Sequence, residues 1–367
     1  MTSKMIFANV MHRPVRTVVS ILAVAIEVAL VLLVVGLTTG MLNESVKRQE
    51  GVGADIMIQP PGASFFLGIT AAPMPVKIAD RLKEIPHVQA VTPVLTQFNT
   101  SGGLNLIYGI DEKSFDAVSG GFVYLSGGPL KNTWDILIDN WYARSNHVRV
   151  GGSLHVLGHV FHVVGVVEHG KGARLFIFLK TAQQMTGEAN RATLFYVKCT
   201  DSGYTSETVA AIQKLLPTYK VLSVREYASL MTSNTIPELT DFVTAMIGIA
   251  VGIGFLVIFL SMYTTITERT REIGILKSLG ASKLYVVQLI LQEAALLGVF
   301  GIIVGYIGTG AIRGFVDAYL PTLTLQPVTM DWAAKAAGLA IAASLLGAFY
   351  PALRAANLDP IDALGYE

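Results

Sequence analysis

Apolar positions follow two regimes along the 367-residue chain. In four stretches they run almost without interruption: 15–41 (VRTVVSILAVAIEVALVLLVVGLTTGM), 241–266, 284–312 and 331–353. A helix needs about 20 apolar residues to cross the hydrocarbon core of a bilayer. Each stretch is long enough, so the pattern predicts four transmembrane helices. Residues 42–240 have ordinary mixed composition. Alternation there predicts strands at ADIMIQP (54–60), VQAVTPVL, LNLIYGI, RLFIFL and TLFYVKCT, and a hairpin over 153–168 that turns near Gly158. Helical spacing marks Val76–Ile85 through Ile78, Leu82 and Ile85, and SETVAAIQKLL through Val209, Ile212 and Leu216. The predicted class is an α+β membrane protein. It has four transmembrane helices and a large mixed α/β extracytoplasmic domain between the first and second, built from small βαβ-type units.

Composition agrees: 52% of residues are hydrophobic and 14% charged, against about 25% charged in a soluble domain. The first apolar stretch is too long for a signal peptide and lacks a small-residue cleavage site, so it reads as a retained anchor. Basic residues flanking spans mark the cytoplasmic side. Lys4, Arg13 and Arg16 precede the first span, Arg269, Arg271, Lys277 and Lys283 fill the second connection, and Arg354 follows the fourth. All fall on one side if each span crosses once, with Arg313 the single exception. The expected order is a cytoplasmic N-terminus (1–14), span 15–41, an extracytoplasmic stalk and α/β domain (42–240) and span 241–266. A cytoplasmic helix (267–283), span 284–312, an outer loop (313–330), span 331–353 and a cytoplasmic tail (354–367) follow. LNESVKRQE after Met41 and VREYASLMTSNTIPELTDF before the second span are polar yet helix-competent. Both predict outward helical extensions forming a stalk, with Pro237 as a kink.

Chemistry is sparse. The net charge of +1 and the lack of a basic block give no reason to expect nucleic acid. GVVEHGKG (165–172) nearly spells a phosphate loop, but Gly172 stands where a Mg-binding hydroxyl belongs and a strand follows. His155, His159 and His162 read as a solvated hairpin edge, and no metal is expected. In a continuous strand His162 would face away from the other two unless the Gly158 turn intervenes. Cys199, the one cysteine, lacks an activating neighbour. No catalytic residue is identified. Glu27 lies mid-span, where a carboxylate is costly, and is expected to face a helix–helix or dimer interface. Gly248 with Gly252, and Gly301 with Gly305, then Gly310 with Gly314, have the spacing that lets helices pack closely.

ERTREIGILKSLGAS (268–282) reads as a short amphipathic helix between two spans. Ile273 and Leu276 form an apolar ridge. Glu268 with Arg271, and Arg269 with Glu272, are i,i+3 neighbours. Lys277 suits the last turn, Gly280 a C′ cap and Ser282 the next N-cap. Mixed charge with an apolar ridge suits a protein groove better than a lipid surface.

This stretch resembles the signature of the FtsX-like permeases, the MacB/LolC/LolE (type VII) ABC transporter subunits. The tail YPALRAANLDPIDALGYE resembles that family's C-terminal motif, with Asp359 as N-cap and Pro360 at N1 of a last helix. VRVGGSLHVLGHVFHVVGVVE resembles its outer-domain hairpin, and the order of spans matches. The resemblance implies an inner-membrane permease with both termini cytoplasmic, dimeric with a second copy or a paralogue. It would bind a cytoplasmic ABC ATPase that carries the ATP and Mg, this chain having no cofactor of its own. Glu268, Arg269, Arg271, Glu272, Ile273, Leu276, Lys277, Gly280 and Ala281 would contact or shape the ATPase-coupling surface, with Pro351 and Arg354 near it. MacB carries its ATPase ahead of the first span. This sequence begins shortly before that span, so a separate ATPase polypeptide is expected. The implied work is mechanotransmission that exports or extracts an amphipathic substrate from membrane lipid, with a periplasmic adaptor or effector as a further partner. Two alternatives stand beside it: an FtsX-like regulator that drives a periplasmic cell-wall hydrolase, and a membrane-anchored receptor without an ATPase.

Overall fold

The computed structural model describes residues 14–63, 73–99, 105–231, 237–320 and 322–359. Lys4, Arg13, stalk residues 232–236 and the helix expected to open with Pro360 lie outside them. The chain forms two compact units. One comprises residues 1–40, 237–318 and 325–367, the other 41–236 and 319–324.

Helix α1 runs unbroken over Pro14–Gly51. It continues ten residues beyond Met41, the expected end of the span, as the polar segment LNESVKRQE predicts.

The outer unit then follows in order: β1 (Ile56–Gln59), β2 (Met74–Pro75), α2 (Ile78–Lys83), β3 (Val88–Asn99), β4 (Asn105–Ile110), α3 (Glu112–Ser119), β5 (Tyr124–Gly127), β6 (Asp135–Asp139) and α4 (Asn140–Ser145). It continues with β7 (Ser153–Val156), β8 (His159–Val167), β9 (Leu175–Phe178), α5 (Leu179–Thr186), β10 (Arg191–Ala192), β11 (Leu194–Cys199), α6 (Thr205–Leu215), β12 (Lys220–Ser223) and α7 (Val224–Leu230). Among the described residues, ten strands make one sheet in the order β12-β1-β11-β3-β4-β9-β6-β8-β5, with β7 on β8. Pairing is antiparallel except at β4–β9 and β6–β8. The βαβ-type units expected from the sequence are present in part: β6 and β8 pair in parallel with α4 between them, while sequence-adjacent strands such as β3 with β4 and β7 with β8 pair as hairpins.

Strand alternation divides the sheet's residues between two faces. On one face, Ile56, Ile58, Val91, Phe195 and Val197 pack with Leu82 of α2 and Ile212 of α6. Further along that face, Ile107, Ile136, Ile138, Phe161, Leu175 and Ile177 pack with Tyr142 of α4 and Ala182 of α5. The opposite face presents Met57, Tyr108, Leu137, Phe176 and Tyr196, all buried. Phe115 of α3 covers part of it, with its ring centroid 6.1 Å from that of Phe176.

The membrane unit adds α8 (Pro237–Glu268), α9 (Thr270–Ser278), α10 (Lys283–Tyr319) and α11 (Met330–Ala356). Pro237 is the first described residue of α8, and the segment before it, where the expected kink falls, lies outside the described residues. Small residues set the helix approaches. A methyl group on Gly301 of α10 would collide with Val24 of α1, and one on Gly305 would lie 2.9 Å from the Ala25 carbonyl. A methyl on Gly347 of α11 would lie 2.8 Å from the Phe255 carbonyl of α8. Gly248 and Gly252, expected to pack the second span, face open space, as do Gly310 and Gly314. The close contact on α8 is made by Gly254, against which Glu27 is seated.

Candidate functional site

Two places join elements that a moving membrane protein would need to join. One is the elbow between α8 and α10. The helix breaks at Arg269 (φ −107°, ψ 17°) and restarts as α9. Arg269 bridges Glu272 at 3.0 Å and Glu293 of α10 at 3.5 Å. The C-terminus closes as a Schellman motif: Gly280 (φ +94°) donates to the Lys277 carbonyl and Ala281 to the Leu276 carbonyl, both at 3.0 Å. The Ser282 hydroxyl then accepts from the Tyr285 N–H at 3.2 Å and caps α10.

The ridge differs from the expected one. Ile273 is buried in the membrane unit's core. The outward apolar positions are Ile275 and Leu279, one helical turn apart, with Leu279 81% exposed. Glu268, Arg271 and Glu272 are exposed beside them, and Leu276 and Ala281 are half-buried. Lys277 also has a use that sequence did not suggest. Its ammonium donates to the carbonyls of Ala356 (3.0 Å) and Leu358, at the end of α11. Lys283 adds a bond to the Asn357 side-chain oxygen at 2.9 Å. Arg354 lies over the Tyr263 ring, 5.0 Å from its centroid, and Pro351 is buried within α11. Together Arg269, Lys277 and Lys283 fix the elbow to the spans around it. A groove of about 320 Å³ opens beside it, lined by Ile266, Ile273, Leu276, Val286, Leu289 and Ile290.

The second place is the outer end of α1. Leu42, Glu44, Ser45, Gln49 and Val52 are buried, while Met41, Asn43, Lys47 and Glu50 are exposed. The inward face meets the aromatic side of the sheet. Gln49 donates to the Tyr108 hydroxyl (3.2 Å) and accepts from that of Tyr196; the two hydroxyls lie 3.0 Å apart. The Ser45 hydroxyl is 3.5 Å from that of Tyr227. The loop after β8 holds the other flank. Gly172 N–H donates to the Arg48 carbonyl at 2.9 Å. Gly51 lies so close to Gly170 that any side chain there would strike its carbonyl.

His169 lies at the centre of this joint. One ring nitrogen contacts Glu44 of α1, and the other lies 2.5 Å from Asp139, the N-cap residue of α4. Donating to two carboxylates requires both ring N–H groups, which only the imidazolium has. The ring stacks flat on Trp141, with centroids 3.9 Å apart and planes 4° from parallel. Burial works to lower the His169 pKa, but the hydrogen bonds and charges of Asp139 and Glu44 outweigh it and hold it above the ordinary value. Burial likewise works to raise Glu44, yet His169, Arg48 and Arg174 together hold it below the usual carboxylate value. Arg174 also donates to the Thr322 carbonyl at 3.0 Å.

None of these joint residues was picked out from sequence. The one visible hint was GVVEHGKG itself. Its near-miss to a phosphate loop reflects a glycine-rich loop shaped to receive a helix. The three hairpin histidines are all exposed. The turn at Leu157–Gly158 does intervene: Ser153 pairs with His162 and His155 with Val160, so His155 and His162 share a face and His159 takes the other. His159 stacks on Trp134 at 5.0 Å. Among the described residues, no group of three or more potential ligands is placed to hold a metal. Burial pushes the Cys199 thiol up, which disfavours the reactive thiolate.

Four long apolar helices, with a mixed α/β unit inserted between the first and second, define a multi-pass membrane protein with a large domain outside the bilayer. The family profile for the MacB-like periplasmic core domain matches residues 17–215, and that for the FtsX-like permease C-terminal region matches 244–360. The chain belongs to the FtsX-like permeases with a MacB-like periplasmic core domain, and is an ABC transporter permease of that type. It is 27% identical over 397 residues to the macrolide export ATP-binding/permease protein MacB of Marinobacter nauticus, covering 96% of this chain and 58% of that protein. It is 35% identical over 156 residues to the ABC transporter permease YknZ of Bacillus subtilis, covering 41% of this chain and 37% of that one. With the permease YvrN of the same species it shares 23% identity over 408 residues and 98% of both chains. The chain thus spans little more than half of the MacB relative's length.

Proposed function

We propose that this permease works by mechanotransmission. A cytoplasmic ABC ATPase outside this sequence grips the α9 elbow. The resulting shift of the spans is carried by α1, as a continuous rod, to the outer domain. The observation that carries this reading is the joint at the end of α1: an unbroken helix from Pro14 to Gly51 whose last turns are pinned by Glu44, Arg48 and Gln49. A linker meant only to tether would need neither a buried ion cluster nor a hydrogen-bonded tyrosine pair. The permease functions as a dimer, with a second copy or a paralogue, in the inner membrane with both termini cytoplasmic. The work is export or extraction of an amphipathic substrate, a class that includes the macrolides in the relative's name. The size of the outer domain favours this over regulation of a cell-wall hydrolase.

The elbow test is co-purification. Leu279→Asp places a charge at the centre of the outward ridge, and loss of a central apolar anchor costs about 1–2 kcal/mol or more of binding. ATPase recovery should fall about tenfold or more while membrane insertion stays normal. Recovery at the native level would remove the elbow from the coupling role.

A further inference from the structure

Glu27 is used by nothing described so far. It sits in the middle of α1, 3% exposed, and neither carboxylate oxygen has a hydrogen-bond partner. The facing residue is Gly254 of α8, and the carboxyl fills the space a side chain there would take. Seven residues away on each helix, the Ser20 and Ser261 hydroxyls lie 2.7 Å apart. Both contacts belong to one antiparallel α1–α8 register, spaced by two helical turns. The seat is therefore built into the helix pair rather than being a stray rotamer.

Among the described residues, no charge stands nearby to neutralise it. Between Arg16 and Glu44, Glu27 is the one charged residue of α1, and residues 242–267, 294–312 and 336–353 hold none. On α10, Gly301 and Gly305 mark the depth of Val24 and Val28. Glu293 and Arg313 are eight or more residues from that level, about 12 Å along the axis. The nearby titratable side chains on the packed helices are engaged elsewhere. Tyr306 donates to the Ala333 carbonyl at 2.5 Å, and Tyr263 pairs with Arg354. An ionised carboxylate with no partner in such a place costs several kcal/mol, whereas the acid form is tolerated.

We propose that Glu27 is a proton-binding site at the α1–α8 contact. Its carboxyl is the neutral acid while the helices are packed. It releases its proton to water, leaving the carboxylate, only when they part enough to admit solvent. Proton binding and helix packing are then linked, so each favours the other. Acid favours the closed pair and alkali the open one. The site takes a proton rather than a metal cation, since among the described residues Glu27 belongs to no group of three or more potential ligands.

The test uses the full chain in lipid nanodiscs and needs no ATPase, so it stands apart from the coupling proposal. The infrared spectrum of the wild type minus that of Glu27→Gln isolates the carboxyl. A protonated-acid carbonyl band is expected at neutral pH. Introducing Ser20→Cys and Ser261→Cys should allow the helix pair to be locked by oxidation; native Cys199 is buried in the outer unit. Locked, the band should persist to a pH at least about one unit higher than after reduction, a tenfold gain in proton affinity. Carboxylate bands alone at neutral pH, or one midpoint for locked and reduced chains, would overturn the proposal. Failure of the cysteines to cross-link would refute the register it rests on.

Discussion

Helix α1 buries two glutamates, and they meet opposite surroundings. Glu44, near the outer end, faces His169 and Arg48 and lies within the field of Arg174. Glu27, in the membrane stretch, faces a glycine and has no partner. The same residue type on one helix is thus held charged in one unit and left uncompensated in the other. Burial alone does not decide the fate of a carboxylate; the cations and donors within reach do. The charged end is suited to fastening a helix to a domain. The unpaired one is suited to sensing whether a helix contact is closed.

The contrast breaks most sharply at His169. His169→Ala leaves Glu44 and Asp139 buried together without the cation between them. Removing one partner of such a cluster costs about 3–5 kcal/mol. The outer unit should unfold at lower temperature, read from tryptophan fluorescence of the full chain. A loss below about 1 kcal/mol would mean that the joint is not an ion cluster.

The pH dependence of the joint follows from the same groups. With its folded pKa above the ordinary 6.5, His169 contributes fully below that value, and the contribution fades as pH rises through the raised one. Glu44, held below 4.5, contributes fully above that value, and its share fades as pH falls through the lowered one. The difference in melting temperature between wild type and His169→Ala should therefore be largest in mildly acidic buffer. It should shrink in both directions from there. A difference that is flat with pH would contradict the assignment.

Glu27→Gln should have the smallest effect. An amide replaces a neutral acid of nearly the same shape, so thermal stability should move by less than about 0.5 kcal/mol. A loss comparable to that of His169→Ala would show that Glu27 is ionised in the packed state and erase the contrast.

Much of this architecture was legible beforehand. Long apolar runs fix the four spans, because the bilayer demands length and continuity. At the elbow, Gly280 and Ser282 announce their caps by residue type and spacing, and both caps form. What escaped notice depends on partners far along the chain. LNESVKRQE looks like a solvated helix because Tyr108, Tyr196 and His169 lie 59 to 147 residues away from the residues they bind. The burial of Ile273 was not legible because apolar side chains occupy both faces of α9, and periodicity cannot say which face turns inward. Gly248 and Gly252 have the packing spacing, yet Gly254 is the glycine in contact, since helix rotation is set by neighbours rather than by the motif. The sheet's mixed pairing follows from long-range register, which alternation within single strands does not encode.

The central claim is that the outer end of α1 and the outer domain move as one body. The direct measurement is the distance between spin labels at Asn43→Cys on α1 and Glu207→Cys on α6, both exposed, taken with the ATPase in its nucleotide-free and ATP-trapped states. One narrow distance distribution, unchanged between the two states and broadened by His169→Ala, is the predicted result. A distance that changes with nucleotide in the protein with native His169 would contradict the account.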